Sequence, residues 1–415
     1  MNKKIILLNV KRHHGEIDWI LPLLYKFDKF YTLITIFDFN ETYENFKKNK
    51  FLFKLWNKRN DHIYIKNKKE NIFFKIIFQI LQIFQKISNL HLIKFEEFLL
   101  DKISDFEFFL KRYKINYDNL KVFFIASHNK SYLPKFVKKK NPNCKIIRFP
   151  ESSWIFPSGN QNKHYSKTKT FEKNFGDYYL HTCKSNSDLF LGKSKKIIYC
   201  KNFRYESWWK KKFKKKRKNY RTFNILVATR PFDESYFSKQ SYEKLIFLLM
   251  MASNQILNSK VIFKIHPHSK EFYFLKNILK KYNFKNWEIN NNHALTLANE
   301  ADLCVSIITS VCLDFLSINK PTIELFFSNK DANKISVKYP HYAFNKKKNE
   351  WQSIFEHLGF VKTYETTKDL LKIIKMVKAK EKKTYWSKYF IKLKKWEKNK
   401  MDSGSLKKFI CKKIN

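Results

Sequence analysis

Short apolar runs bounded by polar residues alternate along this chain with longer stretches of helical periodicity. Apolar runs of this length are typical of strands that are buried on both faces of a parallel sheet. In the first half they predict strands at residues 3–10, 31–37, 121–126, 144–149, 178–181 and 196–199, with a helix at residues 18–26. In the second half they predict strands at residues 223–229, 261–265, 287–289, 303–307 and 321–325. This alternation predicts an α/β fold with parallel sheets, whose ligands bind at the carboxyl ends of the strands.

Helical periodicity in the second half predicts a helix capped by Ser241 at residues 241–251 and a helix opened by Thr309-Ser310. It also predicts helices at residues 271–282, 293–300, 351–358, 367–378 and 383–398, and we expect the last to cross back over the first domain. The densest basic run, at residues 208–218, precedes a strong strand, so we place the domain boundary there. The predicted units are an N-terminal domain at residues 1–218 with inserted helices at about residues 71–115, a C-terminal domain at residues 219–380 and a helical tail at residues 381–415.

Two segments allow more than one interpretation. Residues 71–100 form a long helical pattern that polar residues interrupt at helical spacing, which indicates an amphipathic helix rather than a membrane span. That helix either packs on the N-terminal domain or lies on a membrane surface. The basic run at residues 208–218 is either a solvated linker or a contact with a membrane surface or another polyanion.

Composition narrows the function classes only partly. The formal charge of +48, from 84 Lys+Arg against 36 Asp+Glu, suggests an anionic partner, but the chain is also rich in Lys, Asn, Ile and Phe and has only 6 Gly, as an AT-rich genome produces. The six cysteines form no CxxC pair or zinc-type cluster, and no signal-peptide core follows the first residues. We therefore expect buried thiols and a cytoplasmic protein, with peripheral attachment to the inner membrane face left open.

The sequence lacks the glycine loops of dinucleotide-binding and P-loop proteins, and it has no DxD motif. A phosphate site must then be built from hydroxyls, a helix start and cations. We predict that Thr309 and Ser310 supply the hydroxyls, and that His266, Lys264 and Arg230 approach from neighbouring strand ends. Asp314, on the helix that follows Thr309-Ser310, completes the predicted donor site. We expect no metal ion and no cofactor besides the nucleotide donor itself.

The catalytic base should be a carboxylate or histidine of the first domain. Glu151 is the first candidate because it directly follows an apolar strand and a proline, and the others by strand-end position are Glu16, Asp18 and His128. His13 and His14 lie in the loop after the first strand, where they either touch substrate or are solvated.

The motifs His266-Pro267, Ala301-Asp302, Thr309-Ser310 and Lys320-Pro321 give the segment from Asn224 to Leu325 a resemblance to a known family. It resembles the C-terminal domain of GT-B glycosyltransferases of bacterial surface polysaccharide synthesis, a group that includes capsule Kdo transferases, sialyl- and polysialyltransferases with an HP motif, and teichoic-acid glycerophosphotransferases. The first residues and the stretch I-I-Y-C-K-N-F-R-Y-E-S-W-W are similar to surface-carbohydrate biosynthesis proteins more loosely. The chain departs from the pattern at Ile308, where the glycerophosphotransferases have Asp, and at Glu151-Ser152-Ser153, where the sialyltransferases have two acidic residues and Gly.

The resemblance implies two Rossmann-like domains facing a cleft, with extra helices, the donor in the second domain and the acceptor in the first. It implies that His266 and the hydroxyls of Thr309 and Ser310 contact the donor phosphate. The expected activity is metal-independent transfer of a sugar from a nucleotide donor, with CMP- and CDP-linked sugars among the candidates, to a surface glycan or lipid-linked glycan. A related phosphotransferase is a variant of this activity. A nucleotide-sugar epimerase of the same fold is the alternative, and a basic nucleic-acid-binding protein is less consistent with lysines spread over the whole chain.

Overall fold

A computed structural model describes most of the chain, and its strands form two parallel sheets and one hairpin. The described residues are 3–11, 14–28, 30–66, 105–127, 129, 131, 133–150, 175–183, 196–214, 222–230, 238–265, 271–326, 342–345, 347, 350–380 and 383–414. The predicted α/β fold with two Rossmann-like units is confirmed by these sheets.

The first sheet has seven parallel strands in the order β3-β2-β1-β4-β5-β6-β7. They are β1 (Lys4–Val10), β2 (Tyr31–Phe37), β3 (His62–Ile65), β4 (Leu120–Ala126), β5 (Lys145–Phe149), β6 (Tyr178–His181) and β7 (Ile197–Tyr199). The helices around it are α1 (His14–Leu24), α2 (Asn40–Lys47), α3 (Lys50–Asn57), α4 (Asp105–Arg112), α5 (Leu133–Lys140) and the short α6 (Ser207–Lys210). Because the strand order reverses between β1 and β4, the ligand crevice of this sheet is expected there.

The second sheet has six parallel strands in the order β10-β9-β8-β11-β12-β15, which repeats the order of the first. They are β8 (Phe223–Ala228), β9 (Ser259–Lys264), β10 (Trp287–Ile289), β11 (Leu303–Ile307), β12 (Thr322–Leu325) and β15 (Thr363–Tyr364), while β13 (Tyr342–Asn345) and β14 (Glu350–Ser353) form an antiparallel hairpin. The helices are α7 (Lys239–Asn254), α8 (Glu271–Lys281), α9 (Ala294–Glu300), α10 (Val311–Ser317), α11 (Ile354–His357), α12 (Thr367–Lys378), α13 (Lys383–Glu397) and α14 (Ser403–Ile414). Here the strand order reverses between β8 and β11.

Burial on both faces explains the unbroken apolar runs of the central strands. In β1, Leu8 and Val10 point into one core and Leu7 into another on the opposite face. In β8, Val227 and Leu226 are likewise divided between two cores. Side chains alternate along a strand, so a strand covered by helices on both faces needs apolar residues at every position.

The last two helices divide between the two domains. Trp386 and Leu393 of α13 pack in the core of the second domain. Leu406 and Ile410 of α14 pack in the core of the first. The expected crossing to the first domain is therefore made by α14, which lies within the predicted helical tail at residues 381–415, and not by residues 383–398.

Two further expectations need correction. Ser238, not Ser241, is the N-cap of α7, and its side chain accepts a hydrogen bond from the Ser241 N–H. Residues 351–358 do not form one helix, because β14 pairs with β13 before Ser353 caps the short α11. The pairing of β13 with β14 joins two different segments of the chain, and the hydrophobic periodicity of either segment alone does not indicate it.

Several predicted features lie outside the described residues. They are the helix at residues 71–100, most of the inserted region at residues 71–115, and residues 215–218 of the basic run. Of the inserted region, α4 is described. In the part of the chain that is described, no helix has both the length and the apolar character needed to cross a bilayer.

Candidate active site between the two sheets

The second sheet places the predicted donor residues at its switch point. Ala228 of β8 is in register with Lys264 of β9 on one side and with Ser306 of β11 on the other. Arg230 and Thr309 therefore follow adjacent strand ends. This is where an open α/β sheet binds its ligand.

A strained residue holds the loop between β11 and α10. Ile308 adopts φ 47°, a left-handed conformation that is unfavourable for a β-branched side chain. Its carbonyl accepts a hydrogen bond from Arg230 Nη1 at 3.3 Å. The conformation turns the chain so that Thr309 and Ser310 open α10 at the carboxyl edge of the sheet.

The hydroxyl and cationic side chains at this edge make different hydrogen bonds to the neighbouring backbone. Thr309 Oγ1 accepts the N–H of Val311 at 3.4 Å, whereas Ser310 is the N-cap of α10 without a capping hydrogen bond from its side chain. Lys264 Nζ donates to the carbonyl of Ile265 at 3.1 Å, which keeps the ammonium group at the end of β9. Two cations and two hydroxyls are therefore brought to one edge, which is a suitable composition for a phosphate site.

Glu324 is a buried carboxyl group near this edge that sequence reasoning did not select. It lies on β12 in register with Ser306, it is fully buried, and the Ser353 hydroxyl donates to its Oε2. Burial raises the pKa of Glu324 to about 8, although the Ser353 hydrogen bond opposes that rise. Its position within the apolar-looking stretch P-T-I-E-L was the available signal, because an acidic residue inside a buried strand is rare.

The first sheet carries a polar network at its own switch point. Asn129 Nδ2 donates to Asn9 Oδ1 at 2.7 Å, and Asn9 Nδ2 donates to Asp38 Oδ1 at 3.0 Å. Lys66 Nζ pairs with Asp38 Oδ1 at 2.6 Å. The buried Arg148 donates to the carbonyls of residues 126 and 129 and so fixes the loop after β4. The sequence signal was Asn9, a polar residue inside an apolar strand.

The structure describes some of the candidate residues of the first domain and not others. Glu16 is buried and its Oε2 accepts the N–H of Lys11 at 3.0 Å, so this carboxylate closes the β1–α1 loop. Glu151, His128 and His13 lie outside the described residues, as does the side chain of His14. His266 of the predicted donor site lies outside them too.

Asp18, Asp314 and two basic residues form a buried cluster between the domains. Arg204 Nη1 lies 2.8 Å from Asp18 Oδ2 of α1, and Arg204 Nη2 lies 2.9 Å from Asp314 Oδ1 of α10. His293 Nε2 lies 3.0 Å from Asp18 Oδ1. The carboxylate of Asp314 thus pairs with Arg204, and no local pattern in the sequence indicates that these four residues meet.

Burial and the neighbouring charges act in opposite directions on the pKa values of Asp18, Asp314 and Arg204. Burial favours the neutral form of Asp18, but His293 and Arg204 outweigh it and hold its pKa below the ordinary value. Burial also raises the pKa of Asp314, and Arg204 only partly opposes that effect. For Arg204, burial works against the charge, yet Asp314 and Asp18 together raise its pKa.

This cluster also fixes how the two sheets face each other. Helix α1 starts after the carboxyl end of β1, and α10 starts after the carboxyl end of β11. Because Arg204 joins the N-terminal halves of these two helices, the carboxyl edges of both sheets lie along one interdomain cleft. The donor-site residues and the Asn9 network therefore belong to the two walls of that cleft.

Comparison with known proteins agrees with this architecture. No protein-family model and no curated protein sequence matches the chain. Among solved structures, it is similar to the UDP-GlcNAc 2-epimerase of Neisseria meningitidis bound to UDP-GlcNAc, with 10% identity, 99% of each chain covered and a TM-score of 0.52. The chain has the GT-B fold.

Two further solved structures show the same fold. S. aureus MnaA, in a co-structure with UDP, has 11% identity, with 93% of this chain and 91% of that chain covered, and a TM-score of 0.50. The wall teichoic acid polymerase TagF has 12% identity, with 100% of this chain and 90% of that chain covered, and a TM-score of 0.52. The GT-B fold expected from the sequence motifs is therefore confirmed.

Proposed function

We propose that this protein is a glycosyltransferase that binds a nucleotide-activated sugar in the interdomain cleft and transfers the sugar to a glycan or lipid-linked glycan. The observation that carries the proposal is the convergence of Arg230, Lys264, Thr309 and Ser310 at the switch point of the second sheet. A diphosphate needs cations and hydrogen-bond donors at one place, and this edge supplies both.

In this proposal the donor phosphates lie against the second sheet and the acceptor lies against the first. Arg230 and Lys264 neutralise phosphate charge, while Ser310 and Thr309 donate hydroxyl hydrogen bonds, together with His266 of the neighbouring strand end. No metal ion is required, because cations and donors of the protein itself stabilise the leaving diphosphate or monophosphate. Asp314 supports the site indirectly, by fixing α10 against Arg204.

Proton removal from the acceptor hydroxyl is assigned to the first domain. Glu151 remains the first candidate base, followed by His128, since both follow strands of the first sheet in sequence. Glu16 is a weaker candidate than these two, because its carboxylate accepts the N–H of Lys11.

Binding of free nucleotides tests the proposal directly. Thermal unfolding is measured with CMP, CDP, UDP and GDP, of which UDP is favoured by the solved relatives and CMP and CDP by the sequence motifs. A nucleotide at about 100 times its dissociation constant should stabilise the protein by about 2.7 kcal/mol. If no nucleotide raises the melting temperature, the donor site is wrong.

A nucleotide-sugar epimerase is the second candidate, and it is favoured by the coverage of almost the whole epimerase chain from Neisseria. An epimerase changes its nucleotide sugar without any acceptor, whereas a transferase consumes the donor only when an acceptor is present. Incubation of each nucleotide sugar in deuterium oxide, followed by nuclear magnetic resonance, separates the two. Deuterium entering the sugar ring without an acceptor would favour the epimerase.

We place the protein at the cytoplasmic side of the membrane, either free or peripherally attached. This assignment follows from a nucleotide-activated donor, which is made in the cytoplasm, and from an acceptor that is destined for the cell surface. Co-sedimentation with membranes after gentle lysis, and its loss in high salt, tests peripheral attachment.

A further inference from the structure

A second cavity lies at the opposite end of α10 from the donor site. It has a volume of about 830 Å³ and lies between the segment before α6, the end of α10, α13 and the start of α14. Its wall includes the apolar side chains Leu316, Phe390 and Leu393. We call it the lysine groove, after the six lysines that line it: Lys26, Lys201, Lys210, Lys211, Lys394 and Lys398.

The carboxylates that line the lysine groove accept hydrogen bonds from other parts of the protein. Glu206 accepts the backbone N–H and the hydroxyl of Ser403, each at 2.7 Å, and so caps α14. Glu397 accepts the N–H of Asn202 at 2.8 Å and a hydrogen bond from Lys400, which is outside the groove wall. Asp402, the third acid of the wall, accepts the N–H of residue 405 at 2.8 Å. The wall thus has six lysines and three acidic residues, and the carboxylates of the acidic residues accept hydrogen bonds from the donors named above.

Lys210 shows that positive charge is concentrated here. Its ammonium group is partly buried and donates to the carbonyl of Ser317 at the end of α10. Burial lowers the pKa of Lys210, and repulsion from Lys394 and Lys214 adds to that effect. An anion placed between Lys210 and Lys394 would relieve this repulsion.

We infer that the lysine groove is a second ligand site, separate from the donor cleft, that binds a phosphate-bearing anion. Its lysines bind the phosphate oxygens, and Leu316, Phe390 and Leu393 contact an apolar part of the ligand. The phosphate can belong to a soluble phosphorylated glycan or to a lipid headgroup, and the chemistry of the site is the same in both cases. This inference does not depend on the proposed transferase activity.

The test compares two charge-reversed pairs, on α13 and at its C-terminal end, in the full-length protein. Lys394 and Lys398 are exposed, one helical turn apart, and line the groove, whereas Lys392 and Lys395 are exposed on α13 and do not line it. Isothermal titration with inorganic tripolyphosphate is performed on the wild type, K394E/K398E, K392E/K395E and R230Q. The Arg230→Gln variant marks binding at the donor cleft.

The expected result is that K394E/K398E weakens tripolyphosphate binding at the groove roughly tenfold or more, while the control pair stays within about twofold of the wild type. Arg230→Gln should lower only the share of binding that the donor cleft contributes and leave binding at the groove in place. Sedimentation with phosphatidylglycerol vesicles then identifies the source. A parallel loss of vesicle binding in K394E/K398E identifies a lipid headgroup, and unchanged vesicle binding identifies a soluble ligand. Equal weakening by both pairs, loss in Arg230→Gln alone, or no binding to the wild type would overturn the inference.

Discussion

Asp18 and His293 meet across the domain boundary, with Asp18 Oδ1 3.0 Å from His293 Nε2. His293 Nδ1 accepts the N–H of Leu295 at 3.2 Å, so the proton on Nε2 is the one donated to Asp18. This contact is buried, and with Arg204 and Asp314 it connects α1 to the start of α9 and α10. This buried charged cluster is therefore one of the contacts that join the two domains, beside the packing of Leu295 in the core of the first domain.

The first prediction concerns the centre of that cluster. Arg204→Met should destabilise the protein by about 3–5 kcal/mol, because it leaves Asp18 and Asp314 buried without their shared cation. Urea unfolding followed by tryptophan fluorescence measures the change. The triple variant D18N/R204M/D314N removes the charges together and should recover part of the loss. A cost below about 1 kcal/mol for Arg204→Met would show that the cluster contributes little to stability.

This cluster also marks where sequence reasoning stops. Arg204 and Asp18 are separated by 186 positions, and no periodicity of α1 or of residues 203–205 indicates that they pair. The central strands were predictable because burial on both faces imposes a continuous apolar run. Ion pairs between domains impose no such local pattern, so Arg204 carried only a loose family resemblance and no assigned role.

The predicted donor site, at the carboxyl edge of the second sheet, was predictable from the sequence only in part. The apolar run of β11 and the hydroxyl pair that follows it were sufficient to place Thr309 and Ser310 at a strand end. The left-handed conformation of Ile308 was not predictable, because that backbone region is rare for a β-branched residue. The hairpin of β13 and β14 was also not predicted. It forms by pairing of two segments, and the hydrophobic pattern of neither segment indicates that pairing.

The second prediction uses the raised pKa of Glu324. Burial raises this pKa from 4.5 to about 8, so the folded protein binds the proton more tightly than the unfolded chain does. The stability from this group is fully present below pH 4.5 and is lost as the pH rises through about 8. The wild type should therefore lose stability relative to Glu324→Gln by up to about 1.4 kcal/mol per pH unit between about pH 5 and pH 8.

Urea unfolding at several pH values checks this difference. Glu288 is a suitable control, because its carboxylate is partly exposed and paired with Lys260 on the surface. Glu288→Gln should leave the pH dependence of the wild type unchanged over this range. Parallel stability curves for the wild type and Glu324→Gln would contradict the prediction.

The third prediction separates two serines at opposite ends of α10. The Ser310 side chain makes no capping hydrogen bond, so its removal should cost little stability. If it donates to the donor phosphate, Ser310→Ala should weaken nucleotide binding roughly tenfold, as expected for loss of a charge-assisted hydrogen bond. Ser317→Ala is the matched control, since the Ser317 hydroxyl donates to the carbonyl of Asp314 at the far end of the helix. Titration of both variants with the nucleotide that stabilises the protein most should show loss only for Ser310→Ala.

The fourth prediction concerns the two histidines of the sequence His266-Pro267-His268, which lie outside the described residues. The preceding strand β9 ends at Lys264, beside Arg230 and the loop of Ile308, so the chain leaves β9 at the donor edge. His266 comes two residues after Lys264, and Pro267 restricts the backbone before His268. We expect His266→Ala to weaken nucleotide binding roughly ten- to a hundredfold through loss of one charge-assisted hydrogen bond, and His268→Ala to weaken it much less. Isothermal titration of both variants decides between them, and an equal or larger effect at His268 would move the phosphate site away from the strand end.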